Sequence, residues 1–191
     1  MSNLFNPFHR IAGVKALVWG EFFTIALSVL FIISDVAQDG FMHFTLLDTA
    51  AWKVLLMNHL AWLIFALLLY IGGAAMSRSR VRIIDVVGTI GFSQLLLIPM
   101  NAGFYIPAWR ASFAESINRI VTGVMPQEVS MLPIVAMGVW SMIWLVLFVA
   151  WSYNAFCVSC NVRGTKAVIK FIVAWVIASV AVTQLAKLIY L

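Results

Sequence analysis

The sequence predicts an all-α, polytopic membrane protein: a bundle of five transmembrane helices with an interfacial amphipathic helix between spans three and four. Three observations predict it. Of 191 residues, 64% are hydrophobic and 10% are charged, whereas soluble domains are about half apolar and about a quarter charged. A soluble fold of this length has too little interior to hide so much apolar surface. The apolar residues also fall in five long runs, each near the roughly 20 residues that a spanning helix needs. Finally, most of the Lys and Arg residues gather in short clusters between those runs.

The chain opens with "MSNLFNPFHRIAGVK". Asn6 can cap a turn, Pro7 suits a first helical position, and Phe5, Phe8 and Ile11 offer an apolar side. This start does not read as a secretory signal, because the run after it is too long and no small-residue cleavage site follows. Span one is expected over 14–36, span two over 52–76, span three over 83–107, span four over 133–156 and span five over 167–190, all within a single domain of residues 1–191. None of these runs can be a barrel strand. A barrel alternates apolar and polar residues over about ten positions, and "LIFALLLYI" and "IWLVLFVAW" do not. Pro99 in span three is expected to kink or re-pack the helix. Gly73 with Ser77, Gly88 with Gly91, and Ala174 with Ala178 have the small-residue spacing of close helix contacts.

Residues 108–131 are too polar to span. Trp109, Phe113, Ile117, Ile120, Val121 and Val124 share one helical face, and Arg110, Ser112, Glu115, Asn118, Arg119 and Thr122 lie opposite. Glu115 and Arg119 form an i,i+4 pair. The pattern predicts an amphipathic helix over 108–123 lying in the membrane interface, ended by Gly123 and Pro126.

Charge sets the expected orientation. Five spans put the N-terminal segment, the 2–3 loop and the 4–5 loop on one side. That side holds Arg10, Lys15, Arg78, Arg80, Arg82, Arg163, Lys166 and Lys170, against Lys53, Arg110, Arg119 and Lys187 on the other. Cytoplasmic loops carry the excess of Lys and Arg. The expectation is an inner-membrane protein with its N-terminus in the cytoplasm and its C-terminus outside. The basic loops would touch anionic lipid. The bases lie in no basic, aromatic-interleaved soluble module, so nucleic acid is not an expected partner.

Ionisable groups inside a membrane are costly, so each is a candidate site. Glu21 lies about two turns into span one. Tyr70 is expected at a similar depth, with Arg78 or Lys170 snorkelling toward the carboxylate. His59 and Asn58 lie in the outer third of span two, where Asn101 and Asp35 should approach. A His–Asp pair at that level could titrate near neutral pH, and Gln94 sits near the middle of span three. Asp85 falls in the first turn of span three, where the helix dipole favours a carboxylate, with Arg82 three residues back. For each of these groups, a helix-holding hydrogen bond competes with a proton or ligand path.

No catalytic motif is present: no H-E-x-x-H, no G-x-S-x-G and no P-loop. His9, His43 and His59 are scattered over both sides, and Cys157 with Cys160 is at most half of a four-ligand zinc site. Neither a cofactor nor a metal is expected.

The segments "NPFHRIAGVKALVWG", "SRSRVRIIDVVGTIGFSQLLLIP" and "WSYNAFCVSCNVRGTKAVIKFIVAW" together resemble the Yip family, the Ypt/Rab-interacting membrane proteins, in its bacterial branch. The pattern positions are Pro7, Arg82, Asp85, Gly88, Gly164 and Lys166. The resemblance implies a five-helix membrane domain with a cytosolic N-terminus. Eukaryotic members bind small prenylated GTPases and act in vesicle traffic. Their long soluble N-terminal region has no counterpart before span one here, so GTPase binding is not among the expectations. Two readings of function follow. The first is a non-enzymatic scaffold that organises lipid or a protein partner, with self-association open. The alternative is a small transporter or channel using Glu21 or a His59–Asn101–Asp35 cluster.

Overall fold

In a computed structural model, residues 7–122 and 131–190 are described, without the side chains of residues 9, 118–122 and 131. The first apolar run forms α1 (Gly13–Ile33). Its 21 residues rise about 31 Å at 1.5 Å each, close to the roughly 30 Å of a bilayer's hydrocarbon core. The second run forms α2 (Ala51–Ala74). The third run is composite: α3 (Ile83–Ser93), a 3-10 turn over Gln94–Leu96, α4 (Leu97–Ala102) and a second 3-10 turn over Gly103–Tyr105. The polar segment forms α5 (Pro107–Thr122), and the last two runs form α6 (Met131–Cys160) and α7 (Thr165–Tyr190). Among the described residues, five helices are long and apolar enough to cross a membrane, with α3 and α4 counting as one. The fold is an all-α polytopic bundle.

The break in span three has a local cause. Pro99 has no N–H to bond the carbonyl of residue 95, and its ring crowds that carbonyl. The ladder tightens to 3-10 geometry just upstream, at Gln94–Leu96. The carbonyl of Pro99 itself accepts a 2.9 Å bond from Trp140 Nε1 of α6.

A β-hairpin is the main addition to the all-α expectation. Span one ends at Ile33 rather than 36, and Asp35 adopts a left-handed φ of 50°. Strands β1 (Val36–Gly40) and β2 (His43–Leu46) then pair antiparallel, with Val36 opposite Leu46 and Gln38 opposite Phe44. A lone hairpin is marginal in water. This one buries Val36, Ala37 and Phe41, and the Phe41 ring packs on Phe65 and Trp175 at 4.7 and 4.9 Å.

Phe8 explains the N-P-F start. A 3-10 turn over Pro7–His9 directs its ring into the bundle, 6.2 Å from Phe92 and 5.9 Å from Trp151. Asn6 and Phe5 lie outside the described residues, as do Gly123, Val124 and Pro126 at the end of α5. On α5 the apolar face meets protein as well as the exterior: Phe113 packs on Phe104 at 5.3 Å and Trp109 on Trp140 at 6.3 Å.

Backbone packs directly on backbone where α1 crosses α3. A methyl added at Gly88 would meet the Leu17 amide nitrogen at 2.6 Å, and one at Gly20 would meet the Gly91 carbonyl carbon at 2.9 Å. Only glycine permits this backbone-on-backbone approach. Gly91 also seats the Trp62 indole, whose Nε1 donates to the Val87 carbonyl at 3.1 Å. The other small-residue pairs mark contacts too. Gly73 lies under Cys160, and Ala174 and Ala178 are buried on the face of α7 nearest α2.

Candidate functional site

The α1–α3 crossing fixes which side of α1 faces α2. Gly20, Thr24 and Ser28 recur every four residues and so share one stripe. The hydroxyls of Thr24 and Ser28 bond back to the carbonyls one turn earlier, each at 2.8 Å. Asn58 of α2 then donates to the Thr24 carbonyl at 3.1 Å and to the Ser28 hydroxyl at 2.8 Å. This bridge sets α1 and α2 in register, and it brings Glu21 to His59.

His59 Nε2 lies 2.9 Å from Glu21 Oε1, and Nδ1 lies 2.7 Å from the Leu55 carbonyl oxygen. A carbonyl can only accept, so Nδ1 carries a hydrogen. The contact between Nε2 and Oε1 then needs one more proton, held either by the imidazole, giving an ion pair, or by the carboxyl, giving a neutral bond. Removing that proton breaks the contact. Glu21 and His59 are each eight residues from their helix starts, about 12 Å along the axis, so the couple is well inside the apolar zone.

The couple faces outward. Glu21 is 44% exposed and His59 19%. On α1 it is bordered by exposed Val18, Phe22 and Ile25, and on α2 by exposed Leu55 and Leu63. His59 thus interrupts the stripe that α2 turns to lipid, and Glu21 flanks that of α1.

This arrangement corrects two expectations. Neither Arg78 nor Lys170 reaches Glu21, whose partner is His59. Tyr70 packs among the apolar core side chains near the opposite end of α2, without a hydrogen bond to Glu21. The His59–Asn101–Asp35 cluster does not form either. Asp35 lies past the end of α1 and pairs with Arg110 of α5 at 2.6 Å. Asn101 is fully buried in α4, and neither atom of its amide has a partner. Gln94 is buried in the 3-10 turn above it.

The remaining pattern positions have structural tasks. Arg82 precedes α3, with Nε 3.9 Å from the Asp85 carboxylate in its first turn. The Asp85 backbone carbonyl accepts from Thr89 at 2.7 Å and from Ser159 of α6 at 3.3 Å, and those two hydroxyls meet at 2.8 Å. Gly164 takes a left-handed φ of 81° in the turn before α7, where Lys166 is exposed.

No family model, curated protein or solved structure matches the chain. The resemblance to the Yip family therefore rests on the segments quoted above. Cys157 and Cys160 are free thiols. Among the described residues no group of three or more His, Cys, Asp or Glu side chains is arranged to hold a metal ion. Thr24, Ser28 and Trp62 were not among the expected site residues. The four-residue stripe Gly20–Thr24–Ser28 is the signal in the sequence that points to the first two.

Proposed function

We propose that the chain is a non-enzymatic scaffold of the Yip type in the inner membrane, associating laterally through the face where α1 and α2 present Glu21 and His59. The observation that carries this reading is the 2.9 Å contact between His59 Nε2 and Glu21 Oε1, set among exposed apolar side chains of α1 and α2. Exposed to hydrocarbon, such groups are costly. Against another helix they act as an adhesive, because polar side chains hydrogen-bond between helices in lipid. Both imidazole nitrogens are engaged within the chain, so the couple presents the second carboxyl oxygen of Glu21, and two copies related by a two-fold axis can exchange the contact, His59 of each pairing with Glu21 of the other. The packed interior argues in the same direction. Phe31, Phe65, Leu27, Met57 and Ile90 fill the space between the helices and are essentially inaccessible. The excess of Lys and Arg supports a cytoplasmic N-terminus and an external C-terminus.

Single-molecule photobleaching in liposomes, at graded protein-to-lipid ratios, tests the reading. Wild-type protein should dimerise. The double variant Glu21→Leu/His59→Leu should weaken dimerisation roughly tenfold, about 1.4 kcal/mol, in keeping with interhelical bonds of about 0.6–1.7 kcal/mol each. A monomeric wild type at high density would overturn the proposal. So would a proton leak that Glu21→Gln abolishes, which would establish the transporter alternative instead.

A further inference from the structure

Three hollows lie in series along α6 and α7, away from the Glu21–His59 couple. At the end carrying the basic turns, a hollow of about 570 Å³ is lined by Arg78, Asn161, Arg163, Thr165 and Lys166. No carboxylate lines it, and none of its three cations belongs to an ion pair among the described residues. The second hollow, of about 450 Å³, shares Asn161 and Arg163 with the first and extends to Asn154, Cys157 and Tyr153. The third, of about 550 Å³, shares Tyr153 with the second and is otherwise apolar. It is walled by Leu145, Val149 and Ala150 of α6 and by Val168, Phe171 and Ile172 of α7.

The series therefore runs from cationic to polar to apolar without a gap in its lining. From Tyr153 to Leu145 the apolar part covers eight residues, about 12 Å of helix, close to the roughly 15 Å that one leaflet contributes to the hydrocarbon core. Thr165, in the wall of the cationic hollow, also begins a 26-residue helix. The leading amides of a helix have no intrahelical acceptor, which adds to the attraction for an anion.

The geometry points to a binding site for an anionic phospholipid, its phosphate held by Arg78, Arg163 and Lys166 and one acyl chain lying between α6 and α7. Basic pockets between membrane helices suit phosphate-bearing headgroups. A zwitterionic lipid brings a cation that this lining does not balance. A free phosphate would leave the groove unused.

Native mass spectrometry of the full chain in detergent tests this, with three probes: phosphatidylglycerol, phosphatidylcholine and glycerol 3-phosphate. Phosphatidylglycerol should bind at least tenfold more tightly than either of the others. Arg163→Gln/Lys166→Gln should remove that preference, while Lys53→Gln/Lys187→Gln, which deletes the same charge at the opposite end, should keep it. Ala150 is exposed in the groove, so Ala150→Trp should block the acyl chain without unfolding the bundle, as circular dichroism would verify. It should lower phosphatidylglycerol binding at least fivefold. Equal binding of the two lipids would overturn the proposal, as would an equal effect of the two charge-deleting pairs. Glycerol 3-phosphate binding as tightly as the lipid, or a folded Ala150→Trp that binds normally, would overturn it as well.

Discussion

Two helix pairs in this molecule solve the same problem in opposite ways. Where α1 crosses α3, glycine backbone lies against glycine backbone. Where α6 meets α7, the helices leave their shared turn and flank an apolar groove. Burial follows this division: 61% of the apolar window of span three is buried, against 11% for α6. Lipid tails are as apolar as leucine, so burying leucine between helices gains little in a membrane. Close packing and interhelical hydrogen bonds decide which pairs form the core. The α1–α3 crossing has the first, through Gly20, Gly88 and Gly91, and the neighbouring α1–α2 contact has the second, through the Asn58 bridge. Along the groove, α6 and α7 touch through single rings, Phe171 on Tyr153 at 5.5 Å and Trp175 on Phe148 at 6.3 Å, and the space beside them stays open to a lipid chain.

The largest expected effect breaks the dense pair. Gly88→Leu forces a branched side chain into the Leu17 backbone. Overpacking of this kind costs about 1–3 kcal/mol, and more when backbones must separate. A loss of about 3 kcal/mol or more is expected on unfolding from mixed micelles. Ala150→Leu, in the groove, should change stability by less than about 0.5 kcal/mol, as exposed substitutions do. Equal losses would show that the two pairs do not differ as described.

A smaller effect separates bonds between helices from bonds within one. Asn58→Leu removes both bonds to α1 and leaves the buried Ser28 hydroxyl without its α2 partner. It should cost about 1–2 kcal/mol, near the upper range for interhelical bonds in membranes. Ser179 of α7 bonds only to the Trp175 carbonyl of its own helix, at 2.9 Å. Ser179→Ala should be neutral within about 0.5 kcal/mol, because back-bonding within a helix adds little. The same unfolding assay measures both.

The five spans were readable because length and apolar content alone determine them. The boundaries agree to within a few residues: 52–76 was expected for what folds as Ala51–Ala74, and 83–107 for Ile83–Tyr105. The small-residue spacings marked genuine contacts, yet spacing cannot say which helix is on the other side. Gly88 and Gly91 face Gly20 and Trp62, two residues chosen by the tertiary fold. The same limit explains the site. Glu21 and His59 were each recognisable as costly groups in lipid, and a depth estimate put them on different levels. Antiparallel packing in the register set by the Asn58 bridge brings them together. The hairpin was missed because four- and five-residue strands carry too little alternation, and its stability comes from Phe41 packing on Phe65 and Trp175.

The smallest expected effect concerns the hairpin end, where Asp35 of the turn after α1 meets Arg110 of α5 at 2.6 Å. Distance alone would rank this, beside His43–Asp39 at 2.6 Å, among the strongest polar contacts of the described residues. Exposure reverses that ranking: Arg110 is 39% exposed and Asp35 53%, so both ions keep much of their hydration. Exposed pairs contribute about 0–1 kcal/mol, and the Debye length of roughly 8 Å at physiological salt weakens them further. A double-mutant cycle of Asp35→Asn and Arg110→Gln should give a coupling of about 0.5 kcal/mol at low salt, falling toward zero near 1 M. The Glu21–His59 contact is longer and is screened by apolar side chains rather than by ions, so its effect on dimerisation should persist at that salt. A coupling at Asp35–Arg110 that survived 1 M salt would place the pair in a low-dielectric setting. It would then tie α5 to the bundle as firmly as the Asn58 bridge ties α2 to α1.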